Sequence, residues 1–159
     1  MTPDEQFLDQ LDYPMHIVTA AARGEMAGCL VGFVTQCSIN PARFLVCISK
    51  NNRTFRVARD SAVLALQLVP EEAVDLAELF GGRTGDDVDK FSLCRWTEGR
   101  GGVPILDRCR HWVVAGVVDL IDGGDHMIFQ VAPLQYGAGP RERVLMFKQV
   151  KHIVAGHPA

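Results

Sequence analysis

Residues 27–61 read AGCLVGFVTQCSINPARFLVCISKNNRTFRVARDS, and this stretch decides what kind of fold the chain can adopt. Two runs rich in β-branched and aromatic residues, Cys29 to Gln36 and Phe44 to Ser49, have the composition of strands, and Asn40-Pro41 breaks the chain between them. The second run ends in six consecutive polar residues, Ser49 to Thr54, before a basic helical pattern that places Phe55 and Ala58 inward and Arg53, Arg56 and Arg59 outward. A strand end that turns directly into a helix start offers hydroxyls, amides, two cations (Lys50 and Arg53) and unpaired N–H groups, which together suit one anionic group. The same run also suits a solvated turn that caps the helix, and its composition leaves both readings open.

Outward from this stretch the signals are mostly those of short strands. Thr2-Pro3-Asp4-Glu5 reads as a capping box with Pro at the first helical position, opening a helix to about Tyr13. His16 to Ala21 is β-like, and Arg23-Gly24-Glu25 is a turn. Ala62 to Val69 is a further strand, and Pro70-Glu71-Glu72 reads as the start of a helix whose apolar set is Ala73, Leu76, Ala77 and Phe80. The polar stretch Gly81 to Lys90, crowded with Asp86, Asp87 and Asp89, reads as a flexible lid. Trp112 to Ile121 and Met127 to Tyr136 flank Asp122-Gly123-Gly124-Asp125, a strong hairpin signal, and a final strand is expected from Arg143 to about Ile153. With six or seven strands and two or three short helices, the expectation is a mainly β fold, an antiparallel barrel with peripheral α-helices. No repeat or composition shift divides the 159 residues, so one domain is expected over 1–159.

Composition narrows the function. A hydrophobic content of 48% is that of a packed globular core rather than a disordered chain. The formal net charge of −3 gives no general attraction to nucleic acid or an anionic membrane, and basic residues concentrate locally between Lys50 and Arg59. The five cysteines lack a C-x-x-C pair and mostly adjoin apolar residues, which is the pattern of reduced structural thiols in a cytoplasmic protein. The acidic N-terminus has no signal-peptide order, and no apolar run is long enough to span a bilayer. Metal, Ser/His/Asp and P-loop patterns are missing, as is the G-x-G-x-x-G fingerprint. His126, after the hairpin turn, lies where an imidazole could exchange a proton or meet a ligand at the barrel rim, although a surface histidine at a strand start reads the same way. His16, His111, His152 and His157 point to no chemistry.

In order and spacing, MHIVTA (15–20), AGCLVGFVTQCSINP (27–41), FLVCISKNNRTFRVA (44–58), LALQLV (64–69), LAELFGG (76–82), DKFS (89–92), GVPIL (102–106) and GDHMIFQV (124–131) together resemble the flavin reductase-like family of FMN-binding split barrels, the reductase partners of two-component monooxygenases. The resemblance is strongest over residues 14–138. It implies an antiparallel split β-barrel, and a flavin whose ring lies along Leu30, Val31, Gly32 and Phe33. The ribityl chain and phosphate would fall near Cys47, Ile48, Ser49, Asn52 and Thr54, with Lys50 and Arg53 as further cations. It gives His126, of the Gly-Asp-His step, a catalytic role beside the nicotinamide. The family commonly has Thr and Ser at positions held here by Leu30, Gly32 and Phe33, so backbone N–H groups must carry more of the ring recognition.

The implied activity is hydride transfer from NADH or NADPH to FMN or FAD, with reduced flavin supplied to a partner monooxygenase. A homodimer is implied as well. The alternative is a non-catalytic FMN-binding protein or electron carrier.

Overall fold

The computed structural model describes residues 1–153, 155 and 156; His157 lies outside them. A seven-stranded sheet runs in the order β2-β1-β5-β8-β9-β4-β3, every neighbouring pair antiparallel. Its strands are β1 (His16–Ala22), β2 (Glu25–Val31), β3 (Val34–Ser38), β4 (Arg43–Ser49), β5 (Val63–Leu68), β8 (Trp112–Asp122) and β9 (His126–Gly137). The two edge strands of this order, β2 and β3, are consecutive in the chain and separated only by Gly32 and Phe33. A sheet whose outermost strands are tied by two residues must curl until its edges meet, so it closes as a barrel. No ladder joins β2 to β3, and the barrel is split there.

That break corrects the single strand expected over Cys29 to Gln36. The apolar run is continuous in sequence, but at Gly32 the ring of Tyr13 stands where a Cβ would have to be, and the backbone leaves the ladder. Beyond the break it rejoins the sheet on the opposite side, where the Cys47 amide donates to Phe33 O at 2.9 Å.

The barrel interior holds Val18, Val46, Leu66, Val113, Phe129 and Val131, all buried. Outside it, α3 (Val74–Gly81) lays Leu76, Ala77 and Phe80 over Ile17 and Val69 in a second core. A small hairpin, β6 (Trp96–Glu98) with β7 (Pro104–Leu106), was not legible as strands. It docks on β1 and β5 through a buried polar knot: Gln67 Nε2 donates to Thr19 Oγ1 (3.1 Å) and Pro104 O (3.2 Å), and its Oε1 accepts the Leu106 amide (2.7 Å). Covered on both faces, β1 and β5 read as nearly unbroken apolar runs.

Three terminal expectations shift. Helix α1 (Pro3–Asp9) has the expected capping box, with Thr2 Oγ1 accepting the Glu5 amide, but ends well before Tyr13. It buries nothing that would extend it, and Pro14 pushes Tyr13 out of the helical region. Helix α3 starts at Val74 rather than at Pro70, and the Glu71 amide before it donates to Arg143 O at 3.0 Å. In place of a strand over 143–153, Val144 and Met146 form single bridges to Pro70 and Pro14, and a 3-10 turn follows over Phe147–Gln149. Proline partners lack the N–H that a ladder would need. The buried Leu145 instead pins this segment between residues 13–15 and 69–71. Among the described residues no helix is long and apolar enough to cross a membrane.

Candidate functional site

A cavity of about 260 Å³ opens at the barrel split. Its lining includes Leu30, Val31, Gly32 and Phe33 from the β2–β3 step, Cys47, Ile48 and Ser49 from the end of β4, Asn52 from the following turn, and His126 from the start of β9. These nine residues, singled out from the sequence, are brought together because β4 pairs with β9 in a register that sets Ser49 opposite His126. Lys50, Arg53 and Thr54 stand outside this lining.

One wall is an aromatic row. Phe147 stacks on Tyr13 (centroids 4.8 Å apart, 18° between planes), Tyr13 meets Phe33 at 5.9 Å, and Phe33 meets His126 at 5.4 Å. A Cβ on Gly32 would run into the Tyr13 ring, so glycine is required here by close approach, not by backbone dihedral. The opposite boundary is the outer edge of β2. Among the described residues that strand pairs in a ladder with β1 alone, and of its carbonyls Met26 O and Gly28 O are taken by the Arg53 and Lys90 side chains. The cavity therefore combines flat apolar surface with a row of polar backbone, as a planar heteroaromatic ring requires. Its volume lies just below the roughly 300–1,000 Å³ usual for ligand sites, so a ring would fill it and a polar tail would leave across the rim.

The turn after β4 is more committed than its sequence suggests. Helix α2 (Arg53–Ala58) has only six residues, and Asn52 caps it with Oδ1 accepting the Thr54 amide at 2.9 Å. The Lys50 amide donates to Asp125 O, that of Asn51 to Ser49 Oγ, that of Asn52 to Ser49 O and that of Phe55 to Asn52 O. Lys50 Nζ binds Asp122 Oδ1 at 2.7 Å, and Arg53 is held by Met26 O (2.9 Å) and Glu25 Oε2 (3.1 Å). Thr54 is buried, 1% exposed, behind the cavity wall.

His126 is oriented rather than free. Its Nδ1 lies 2.6 Å from Asp125 Oδ1, which leaves Nε2 as the ring nitrogen without that bond. Cys29 and Cys47 also line the cavity, and burial pushes both thiols above their ordinary pKa, opposite to what a nucleophile needs. Desolvation likewise keeps the Tyr13 phenol protonated. The site holds and orients; among the described residues it carries no activated side-chain nucleophile.

Sequence reasoning missed Tyr13, Met15, Phe80, Arg83, Thr84 and Phe147, all in the lining. Tyr13 and Phe147 fall at the end of an expected helix and inside an expected strand, where nothing in the sequence marks an aromatic as a wall. Arg83 and Thr84 lie in the stretch whose crowded aspartates read only as a flexible lid.

Residues 8–153 match the model of the flavin reductase like domain. The chain belongs to the flavin reductase-like family. It is 28% identical over 159 residues to the FMN reductase (NADH) RutF of Ancylobacter novellus, covering 97% of this chain and 87% of that protein. Against the Rhizobium meliloti protein named "Probable flavin reductase" it is 29% identical over 115 residues, 70% of this chain and 36% of the relative. It spans 52% of the reductase subunit HsaB of a flavin-dependent monooxygenase from Rhodococcus jostii, with 31% identity over 105 residues, 64% of this chain. The chain thus covers only a third to a half of some relatives. The fold superimposes on nitrilotriacetate monooxygenase component B from Mycobacterium thermoresistibile with a TM-score of 0.80 at 23% identity, over 90% of this chain and 82% of that one. The antiparallel split barrel is therefore the fold of this family.

Proposed function

We propose that this chain is an NAD(P)H-dependent flavin reductase that moves hydride from NADH or NADPH to FMN or FAD in the cavity at the barrel split, and that it supplies reduced flavin to a partner monooxygenase. The observation that carries the reading is the cavity itself. The family's barrel opens where the β2 edge backbone faces an aromatic row, and a histidine oriented by a carboxylate stands at the end of that row. The flavin ring supplies the hydride-accepting chemistry when bound. The chain's part is to bind and orient. Backbone groups of Leu30 to Phe33 meet the polar edge of the ring, and Tyr13, Phe33 and Phe147 supply flat surface. Cys47, Ile48, Ser49 and Asn52 line the way to the ribityl tail. His126, its Nδ1 held by Asp125, directs Nε2 toward the nicotinamide and positions it.

The partner oxygenase is supported by the relative that is itself a monooxygenase reductase subunit. A homodimer is supported by exposed apolar residues on the β8–β9 ribbon, Val118, Leu120 and Ile121 toward its hairpin and Leu134 and Tyr136 at the opposite end. Sedimentation of the purified chain tests the dimer. For the activity, NADH and NADPH consumption is followed with and without added FMN or FAD. Flavin-dependent turnover is expected; flavin binding with no nicotinamide oxidation would leave a carrier, and the reductase reading would fall.

A further inference from the structure

Two further clefts adjoin the cavity at the split. The nearer, about 310 Å³, lies between residues 26–28 of β2, Arg53 and Thr54 of α2, and the strap 82–89 that joins α3 to the buried Lys90. Three of its wall residues are chain neighbours of residues lining the first cavity: Gly28 precedes Cys29, Arg53 follows Asn52, and Gly85 follows Thr84. The farther cleft, about 300 Å³, has walls that include Arg23 and Glu25 at the β1–β2 turn, Arg56 and Asp60 farther along α2, and again Arg53 and Asp86. The three spaces therefore step in one direction along both β2 and α2. They form a trough, with the strap as the rim of its middle section.

A crossbar of paired side chains separates the second cleft from the third. The Arg53 side chain reaches across to β2, with Nη1 donating to Met26 O at 2.9 Å and Nη2 to Glu25 Oε2 at 3.1 Å. The strap closes on it from outside. Gly85 rests on Arg53, where a Cβ would come within 3.1 Å of Cδ. The Asp87 and Val88 amides both donate to Thr84 O, at 3.2 and 3.1 Å, in one compact turn that presents Asp86 to α2. There Arg56 Nη2 grips both Asp86 oxygens at 2.8 and 2.7 Å, and Arg53 Nε lies 3.8 Å from Oδ1. One carboxylate thus ties the strap to both arginines at the wall the two clefts share. Arg53 is mostly buried and doubly held by β2, whereas Asp86 and Arg56 are both about half exposed, so the bar opens at the Asp86–Arg56 pair.

We infer that Asp86, held by Arg56 and Arg53, is a specificity-determining residue that bars the trough after its second cleft, so that the site takes the mononucleotide FMN in preference to the dinucleotide FAD. This rests on the flavin reductase reading above and narrows its substrate. FMN ends at its phosphate and stays within the first two spaces. FAD carries a second phosphate and an adenosine beyond that point, and along this line they meet the crossbar. That half must break the Asp86–Arg56 pair to enter the third cleft, or leave the trough for solvent. Either outcome costs FAD and spares FMN.

The test measures affinities for FMN, FAD and riboflavin from the change in flavin absorbance on titration with the protein. The unmodified protein binds FMN roughly 5- to 10-fold more tightly than FAD, the cost of opening one half-exposed ion pair. Asp86→Ala tightens FAD until the two lie within about twofold, with riboflavin affinity and melting temperature unchanged. Asp86→Asn acts in the same direction, and Asp86→Glu, which keeps the carboxylate, keeps the preference. FMN and FAD carry comparable phosphate charge at neutral pH, so a carboxylate acting only through its field moves both affinities together, and their ratio reads the bar. Parallel shifts for FMN and FAD in Asp86→Ala, or no shift in either, overturn the inference. So does an unmodified protein that binds FAD as tightly as FMN. If it binds none of the three flavins, the reductase reading falls and takes the inference with it. An FMN preference abolished by Asp86→Ala supports the inference even where no nicotinamide is oxidised, so the two readings fail separately.

Discussion

The turn at 49–54 and the strap at 82–89 flank the same cavity and invert each other's appearance in sequence. The turn is polar and basic, yet Lys50 and Arg53 are held by Asp122 and Glu25, and most of its amides are bonded within the chain. The strap is acidic, yet its Asp86 is consumed by α2, while its Arg83 and Thr84 line the cavity. Local charge counts formal ions; tertiary pairing decides what each one holds. That difference is where substitutions separate the two regions.

The largest effect is expected at the strap's buried end. Lys90→Met removes charge-assisted donors from Gly28 O and Phe80 O, the latter in the last turn of α3, and should lower unfolding free energy by about 2–4 kcal/mol in urea. A loss below about 1 kcal/mol would mean that Lys90 is no anchor.

Next comes a pH window that separates the fold from the strap. Burial of His16 lowers its pKa from 6.5 to about 4, and its Nδ1 has no hydrogen-bond partner. As pH falls below 6.5 the unfolded chain takes up this proton and the folded one does not. Stability is therefore full above 6.5, falls by roughly 3 kcal/mol on the way to about pH 4, and falls no further from this source. His16→Gln should flatten that slope in denaturation curves taken across the window. Asp86, by contrast, is held below its ordinary 3.8 by the Arg56 hydrogen bond, so the strap's anchor is fully present above that pH and is lost only as pH drops beneath the depressed value. A preference for FMN over FAD that declined in step with His16 protonation would break the separation.

Smaller effects fall on the turn. Asn52→Ala removes the cap of α2 and should cost about 1 kcal/mol. Lys50→Ala breaks a pair whose aspartate is 72% exposed, so it should cost under about 1 kcal/mol in urea denaturation. The smallest effect expected is chemical: Cys37, exposed, should react first with a thiol reagent, and Cys109, pushed up to about 12 by burial, should stay silent in the native state.

The legible parts of the molecule were local. The capping box at Thr2 and Glu5, the hairpin at Asp122 to Asp125, and the apolar set of α3 all depend on neighbours a few residues away, and they stand where the sequence puts them. The order of the family's segments carried the barrel and nine of the cavity's lining residues.

Contacts between distant segments were not legible. No local pattern announces that Tyr13 will stack on Phe147, that Gly32 must yield its Cβ space to Tyr13, or that Arg53 will be held by Glu25. The sequence by itself determined the strands, their turns and the lineage, because these follow from residue type and spacing along one chain. Which charges pair with one another was decided only by the tertiary structure, because a charge is cancelled by whatever folding brings beside it.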